Sequence, residues 1–300
     1  MIHRIARRAV VLTVICSAAS ASAHPPSALV VDQHGNVYFA YWGGTWKRTA
    51  SGTLSRIHSN DLHFLAIDGL GRFASVAPDG HGSFLRVTPA GSMPALFAFP
   101  EYPAAFHTDG ALYLAPWAPG RIRLERMLPG GTPAAFVDAA ISPRLARTVG
   151  RHEGGLLAIA SGPRGLVYVS DGASIWTVNA QGQIAPIAEG IKVSECADDL
   201  PAELPKPHVR GLAVATNGDV YAAAIGCRAV LRISPSGAIS VVLRAERPWS
   251  PSAVAVTNGD LYVIEYDNPL AERPNDGRPR LRKVGRDGQV STLVVAPTAP

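Results

Sequence analysis

A phrase that recurs along the chain constrains its fold more than any other feature of the sequence. Each copy has an apolar strand, a turn with glycine and a second apolar strand that often carries tyrosine, as in LVVDQHGNVYFA from Leu29 and LAVATNGDVYAAA from Leu212. The turn glycines of the copies are Gly35, Gly71, Gly110, Gly165, Gly218 and Gly259. Successive turn glycines lie 36 to 55 residues apart, which is the spacing of a repeat architecture such as a propeller.

A second hairpin phrase follows each first one, as in AVLRISPSGAISVVL from Ala229. Its turn glycines are Gly52, Gly91, Gly131, Gly182, Gly237 and Gly288. The first strand of each unit is apolar almost throughout, which predicts burial on both faces, whereas later strands alternate apolar and polar residues. Asn217-Gly218 and Asn258-Gly259 favour short hairpins because both residue types can take positive φ. We therefore predict an all-β protein, a six-bladed β-propeller with four antiparallel strands per blade and inner strands around a central channel.

The N-terminal segment has the three-part layout of a secretory signal peptide. Arg4, Arg7 and Arg8 precede an apolar run, and Ala21-Ser22-Ala23 is a small-residue cleavage site. We predict a signal peptide at 1–23 and one propeller domain at 24–300, in a secreted or periplasmic protein. Without that segment 25 basic residues face 23 acidic ones, and the arginines are dispersed. We expect a monomer with no nucleic-acid partner and no membrane span.

Two cysteines, Cys196 and Cys227, remain after the predicted cleavage. An even number of cysteines in an exported protein favours a disulfide. The alternative is a pair of buried free thiols.

The repeated phrases cover nearly all of residues 27–295 and resemble the NHL-repeat propellers and, more loosely, the gluconolactonase and senescence-marker-protein group. In the lactonase-like relatives, carboxylates and amides at the channel end of inner strands hold one divalent metal, which polarises a substrate carbonyl. The residues just ahead of the inner strands here are Ser27, His63, Ala105, Gly154, Arg210 and Ser252. None of them is Asp, Asn or Glu, so we expect no metal and no other cofactor.

Basic side chains near the start of the fifth inner strand are the first ligand-binding candidates. Arg210 would point at the channel and favour an anionic or carboxylate ligand, with His208 beside it. Alternatively, Arg210 is structural and bonds carbonyl groups at a blade edge. His63 is interpreted as a channel or core histidine, with metal ligation as the less favoured alternative.

Acidic side chains at the ends of second strands are the other candidates. Asp171 and Glu265 could be rim acids for a metal or a cationic ligand. Asp171 could instead form a turn with Gly172, and Glu265 could pair with an arginine. Asp198 lies in an insert before the fifth unit, where it could meet a metal or belong to a solvated loop. If a metal is bound, its ligands would be Asp171, Asp198 and Glu265.

Four aromatic residues follow the second strands of the first and third units: Tyr41, Trp42, Trp46 and Trp117. They could form an aromatic rim for a sugar or a peptide, although such residues more often wedge between blades.

The sequence contains no GxSxG, HExxH, P-loop or CxxC motif, and it assigns no catalytic residue. We expect a non-catalytic module that binds a small anionic ligand or a protein. The alternative is a hydrolase or lyase of the lactonase-like class that depends on calcium or another divalent cation.

Overall fold

The structure is a computed structural model that describes residues 29–40, 45–58, 64–67, 73–76, 83–88, 91–98, 103–107, 110–118, 120–128, 133–140, 155–193, 196, 206–268 and 277–295. Most of these residues lie in strands. Two short 3-10 turns, Pro163–Gly165 and Ile225–Cys227, are the helical elements of this part of the chain. No helix in the described ranges has the length and hydrophobicity needed to cross a membrane.

The described strands, in chain order, are β1 Leu29–Val31, β2 Val37–Ala40, β3 Thr45–Arg48, β4 Leu54–His58, β5 Phe64–Ile67, β6 Phe73–Val76, β7 Ser83–Thr88, β8 Gly91–Ala98, β9 Ala104–Phe106, β10 Leu112–Leu114, β11 Arg121–Met127, β12 Ala134–Ala140, β13 Ala158–Ser161, β14 Val167–Ser170, β15 Ile175–Val178, β16 Ile184–Ala188, β17 Val209–Val214, β18 Val220–Ala224, β19 Ala229–Ile233, β20 Ile239–Arg244, β21 Ser250–Thr257, β22 Asp260–Tyr266, β23 Pro279–Val284 and β24 Val290–Val295.

These strands pair into four-stranded sheets, each made of four consecutive strands in chain order. The sheets are β1–β4, β5–β8, β9–β12, β13–β16, β17–β20 and β21–β24. All pairings are antiparallel between strands adjacent in sequence, as in β17 with β18 and β18 with β19. The predicted all-β class and the four antiparallel strands of each repeat are confirmed.

The first strand of each sheet lies at one edge and contacts the first strands of other sheets. Strand β17 contacts β13 and β21, β9 contacts β5 and β13, and β1 contacts β5 and β21. The beginnings of β9, β13 and β17 line one cavity, while the ends of the same strands line a second one. These first strands therefore run in the same direction along a common channel.

Burial follows the pattern that the sequence predicts. Strands β9 and β17 are buried at nearly every position, whereas in β19 Leu231 and Ile233 are buried and Arg232 is exposed. One apolar cluster combines Ala160 and Tyr168 from one sheet with other buried residues of the next sheet. The core thus lies between neighbouring sheets, where the apolar faces cover each other.

The hairpin turns agree with the prediction in part. Asn258 and Gly259 both have positive φ and join β21 to β22 through a two-residue turn. At the other Asn-Gly pair only Gly218 has positive φ, and the turn is longer, because β17 ends at Val214 and β18 begins at Val220. The predicted turn residue Gly91 instead begins β8. Gly71 and Gly131 lie outside the described residues.

Candidate functional site

The candidate site lies at the end of the channel where the first strands begin. A cavity of about 50 Å³, here called the Arg210 cavity, is enclosed by parts of β1, β9, β13, β17 and β21. Its lining residues are Leu29, Pro103, Ala104, Leu157, Ala158, Ile159, Arg210, Gly211, Leu212 and Val254. Among these described lining residues Arg210 is the one with a charged side chain.

A β-bulge positions Arg210. Val209 is opposite Ala224 and Gly211 is opposite Ala223, so Arg210 is an extra residue in β17. The sequence placed Arg210 just before the inner strand, which is wrong, because pairing continues through the bulge to Val209. Bulges redirect a side chain and are frequent beside functional sites.

Gly211 lets β17 approach the neighbouring sheet closely beside Arg210. A β-carbon at position 211 would lie 2.7 Å from the Cα atom of Ala253 and 3.0 Å from the backbone oxygen of Ser252. Ser252 is itself the extra residue of a bulge, between Pro251 and Ala253 in β21. Because residue 211 is glycine and has no side chain, the two bulges can lie this close together.

Arg210 is desolvated by its surroundings. Only 9% of the residue is exposed, and burial lowers the pKa of Arg210 to about 10. The guanidinium is still charged at neutral pH. Because surrounding water screens it little, its attraction for an anion is stronger than that of a surface arginine.

A second cavity of about 210 Å³, here called the inner channel, lies next to the Arg210 cavity. The two cavities share as lining residues Leu29, Ala104, Ile159, Leu212 and Val254. The remaining lining residues of the inner channel are Val30, Val31, Ala105, Phe106, Ala160, Ser161, Ala213, Val214, Ala255 and Val256. The predicted channel thus has apolar side chains along its wall and an arginine at one end.

His208 lies two residues before Arg210 in the sequence and, in space, beside the turn that contains Asp171 and Gly172. It has a φ of 50° and follows a cis peptide bond between Lys206 and Pro207. Its Nδ1 atom lies 3.8 Å from the point where a β-carbon on Gly172 would be. His208 is partly exposed, and it does not appear among the residues that line the Arg210 cavity.

Asp171 closes a turn after β14. The backbone N–H groups of Ala173 and Ser174 each donate to its Oδ1 atom at 2.8 Å. Burial raises the pKa of Asp171, and these hydrogen bonds lower it by less. Of the two interpretations of Asp171, the geometry fits the turn with Gly172.

Glu265 is fully buried and lies directly opposite Arg280 in the pairing of β22 with β23. The Nε atom of Arg280 donates to Oε2 of Glu265, and Nη1 of Arg282 lies 3.7 Å from Oε1. Burial raises the pKa of Glu265, while the two guanidinium groups lower it to a lesser extent. The geometry of Glu265 fits the ion pair with arginine.

Arg280, the ion-pair partner of Glu265, also contacts the loop that precedes β21. Nη1 of Arg280 donates to Oε1 of Glu246 at 2.6 Å, and its guanidinium lies 4.5 Å from the ring centre of Trp249. Sequence reasoning did not single out Arg280. The available signal was the alternation Arg280-Leu281-Arg282, which puts two arginines on one face of a strand opposite Glu265.

Cys196 and Cys227 form a disulfide, with their Cα atoms 4.2 Å apart. Cys227 is buried and belongs to the apolar cluster between the fourth and fifth sheets, against which Cys196 packs. The predicted bridge is therefore present in the structure. It fastens the segment before β17 to the end of β18.

Of the remaining candidate site residues, the structure describes Trp46 and Trp117. Trp46 is in β3 and packs against an apolar cluster, whereas Trp117 is 66% exposed. His63, Asp198, Tyr41 and Trp42 lie outside the described residues. Within the described ranges, no group of three His, Cys, Asp or Glu side chains has a geometry that could hold a metal ion.

Comparisons with solved structures identify the fold. Virginiamycin B lyase from Staphylococcus aureus is 13% identical, with a TM-score of 0.56 over 90% of this chain and 84% of that one. A gluconolactonase-family structure is 17% identical, with a TM-score of 0.58 over 93% and 92% of the chains. A chain of the nidogen/laminin complex is 14% identical, with a TM-score of 0.61 over 86% and 92%. No protein-family model and no curated protein sequence matches this chain. The fold is thus that of a gluconolactonase-like or NHL-like propeller, a fold found in enzymes and in binding proteins alike.

Proposed function

We propose that this protein is an exported, non-catalytic binding module that takes a small anionic ligand at the Arg210 end of its channel. The observation that carries this proposal is a buried guanidinium that is the charged lining residue of the cavity where the first strands begin. A carboxylate or similar group that enters this cavity would accept a charge-assisted hydrogen bond from the Arg210 guanidinium.

The proposed architecture is a closed propeller of six blades. Its support is the circle of contacts between first strands, in which β1 touches β21 as well as β5. A closed circle of this kind leaves short, protected inner edges around a channel on the axis.

Binding is favoured over metal-dependent catalysis because the two candidate carboxylates that the structure describes have structural partners. Asp171 accepts two backbone N–H groups, and Glu265 faces two arginines. A divalent cation needs several oxygen ligands that converge on one point. A cation near Arg210 would also be repelled by the guanidinium.

Export is supported by the disulfide, since such bonds persist in oxidising compartments. N-terminal sequencing of protein recovered outside the cytoplasm is expected to give a chain that begins near His24. A chain that retains Met1 would contradict export by signal-peptide cleavage.

Calorimetric titration tests the proposal. Calcium and a panel of organic acids are titrated into the wild type, Arg210→Ala and Arg210→Lys. We expect at least one acid to bind the wild type, to lose about 100-fold or more in affinity with Arg210→Ala, and to recover part of it with Arg210→Lys. Tight calcium binding that is unchanged in Arg210→Ala would contradict the proposal and favour the metal-dependent hydrolase or lyase.

A further inference from the structure

The Arg210 cavity and the inner channel are neighbouring cavities whose described lining side chains differ in charge. Leu29, Ala104, Ile159, Leu212 and Val254 line both cavities. A ligand that spans both cavities would place its charged group at Arg210 and its other end in the inner channel.

The side chains of the inner channel favour an apolar ligand body. Every lining residue except Ser161 is apolar, and the hydroxyl of Ser161 donates to the backbone oxygen of Phe106. The first strands are edge strands, so backbone groups along the wall can hydrogen-bond to water or to ligand hydroxyls. Among the described lining residues, Ser161 is the one with a polar side chain.

The size of the inner channel limits the ligand. Its volume is about 210 Å³, and a protein cavity of about 150 Å³ is large enough for benzene. The inner channel therefore admits a six-membered ring together with a short linker, or a branched chain of similar size. Because Arg210 supplies the charge in the described lining of both cavities, one carboxylate is matched and a second one is not.

We infer that the ligand is a monocarboxylate with a compact apolar body, whose carboxylate meets Arg210 and whose ring or branched chain occupies the inner channel. This inference rests on the proposed function and specifies its ligand class. The observation behind it is the shared wall of the two cavities together with the single charge at one end.

The test compares three probes by calorimetry: 3-phenylpropionate, its uncharged analogue 3-phenylpropanamide, and gluconate, a polyhydroxylated acid. With the wild type, 3-phenylpropionate is expected to bind at least about 10-fold more tightly than either of the others. Arg210→Met is expected to remove the preference for the acid over the amide.

A channel-filling variant provides the second measurement. Ala104 lines both cavities, so Ala104→Leu places additional carbons where they meet. This variant is expected to lower the affinity for 3-phenylpropionate at least about 10-fold. The matched control is Ala185→Leu on the exposed part of β16, which is expected to leave binding unchanged.

The outcomes distinguish failure of the apolar-body inference from failure of the proposed anion-binding function. If gluconate binds as tightly as 3-phenylpropionate and depends on Arg210, the apolar-body inference is overturned while the anion-binding function stands. If no organic acid binds, both are overturned. Should Ala104→Leu fail to fold, the ranking of the three probes with the wild type still decides the inference.

Discussion

Gly211 and Ala253 lie so close that a β-carbon at position 211 would be 2.7 Å from the Cα atom of Ala253. The neighbouring atom belongs to backbone and cannot rotate away. This contact brings β17 and β21 together at the bulge that positions Arg210.

Gly211→Ala is therefore expected to lower the free energy of unfolding by about 1–3 kcal/mol, as overpacking does in other interiors. Urea denaturation measures this change. The control is Gly285→Ala, where the nearest atom is a side-chain oxygen of the exposed Asp287, which can move. Equal stability of the two variants would contradict the close approach of the strands.

Asp171 allows a test by pH, because burial raises its pKa above the ordinary value of 3.8. The folded protein holds this proton more tightly than the unfolded chain. The contribution of Asp171 to stability therefore falls as pH rises from about 3.8 through the folded-state pKa.

Asp171→Asn keeps an oxygen for Ala173 and Ser174 and removes the desolvated charge. We expect this variant to be at least as stable as the wild type at pH 7. As pH rises above 3.8, the free energy of unfolding of the wild type should fall relative to that of Asp171→Asn. Asp171→Ala leaves two N–H groups without their acceptor and is expected to lose about 2 kcal/mol or more. Denaturant unfolding from pH 3.5 to 7 measures both, and equal losses with Asn and Ala would contradict the turn-closing role.

Arg280→Met leaves Glu265 buried with Arg282 as its remaining charged partner, at 3.7 Å. Removing one member of a buried ion pair typically costs about 3–5 kcal/mol, and we expect a loss in that range by urea denaturation. Arg121→Met is the matched control, because Arg121 and Asp138 form an exposed pair for which about 0–1 kcal/mol is expected. Similar losses in both variants would argue against a structural ion pair at Glu265.

The disulfide between Cys196 and Cys227 spans a sequence separation of 31 residues. A bridge that closes a loop of this length is expected to contribute about 3–4 kcal/mol in the chain-entropy model. The double variant Cys196→Ser, Cys227→Ser should lose this amount in denaturant unfolding. Thiol titration of the unfolded, non-reduced full chain should find Cys16 alone, and a count of three thiols would contradict the bridge.

The sequence by itself determined the repeating features of this protein. Hairpin pairing joins strands that are adjacent in sequence, so strand periodicity and turn residues were sufficient to predict the all-β class and the four strands of each repeat. With Cys16 assigned to the predicted signal peptide, Cys196 and Cys227 could pair only with each other, and the structure decided between this bridge and two free thiols. The position of Arg210 near the start of an inner strand also followed from the repeat.

Only the tertiary structure decided what the charged side chains do. Glu265 and Asp171 shared the rim-acid interpretation in the sequence, with an arginine pair as the alternative for Glu265 and a turn for Asp171. Their partners depend on strand register and on the path of a turn. Arg210 reaches its cavity through a bulge, and Gly211 is required by the backbone of another sheet. Such contacts join positions that are distant in sequence, and a local hydrophobic pattern carries no information about the distances between them.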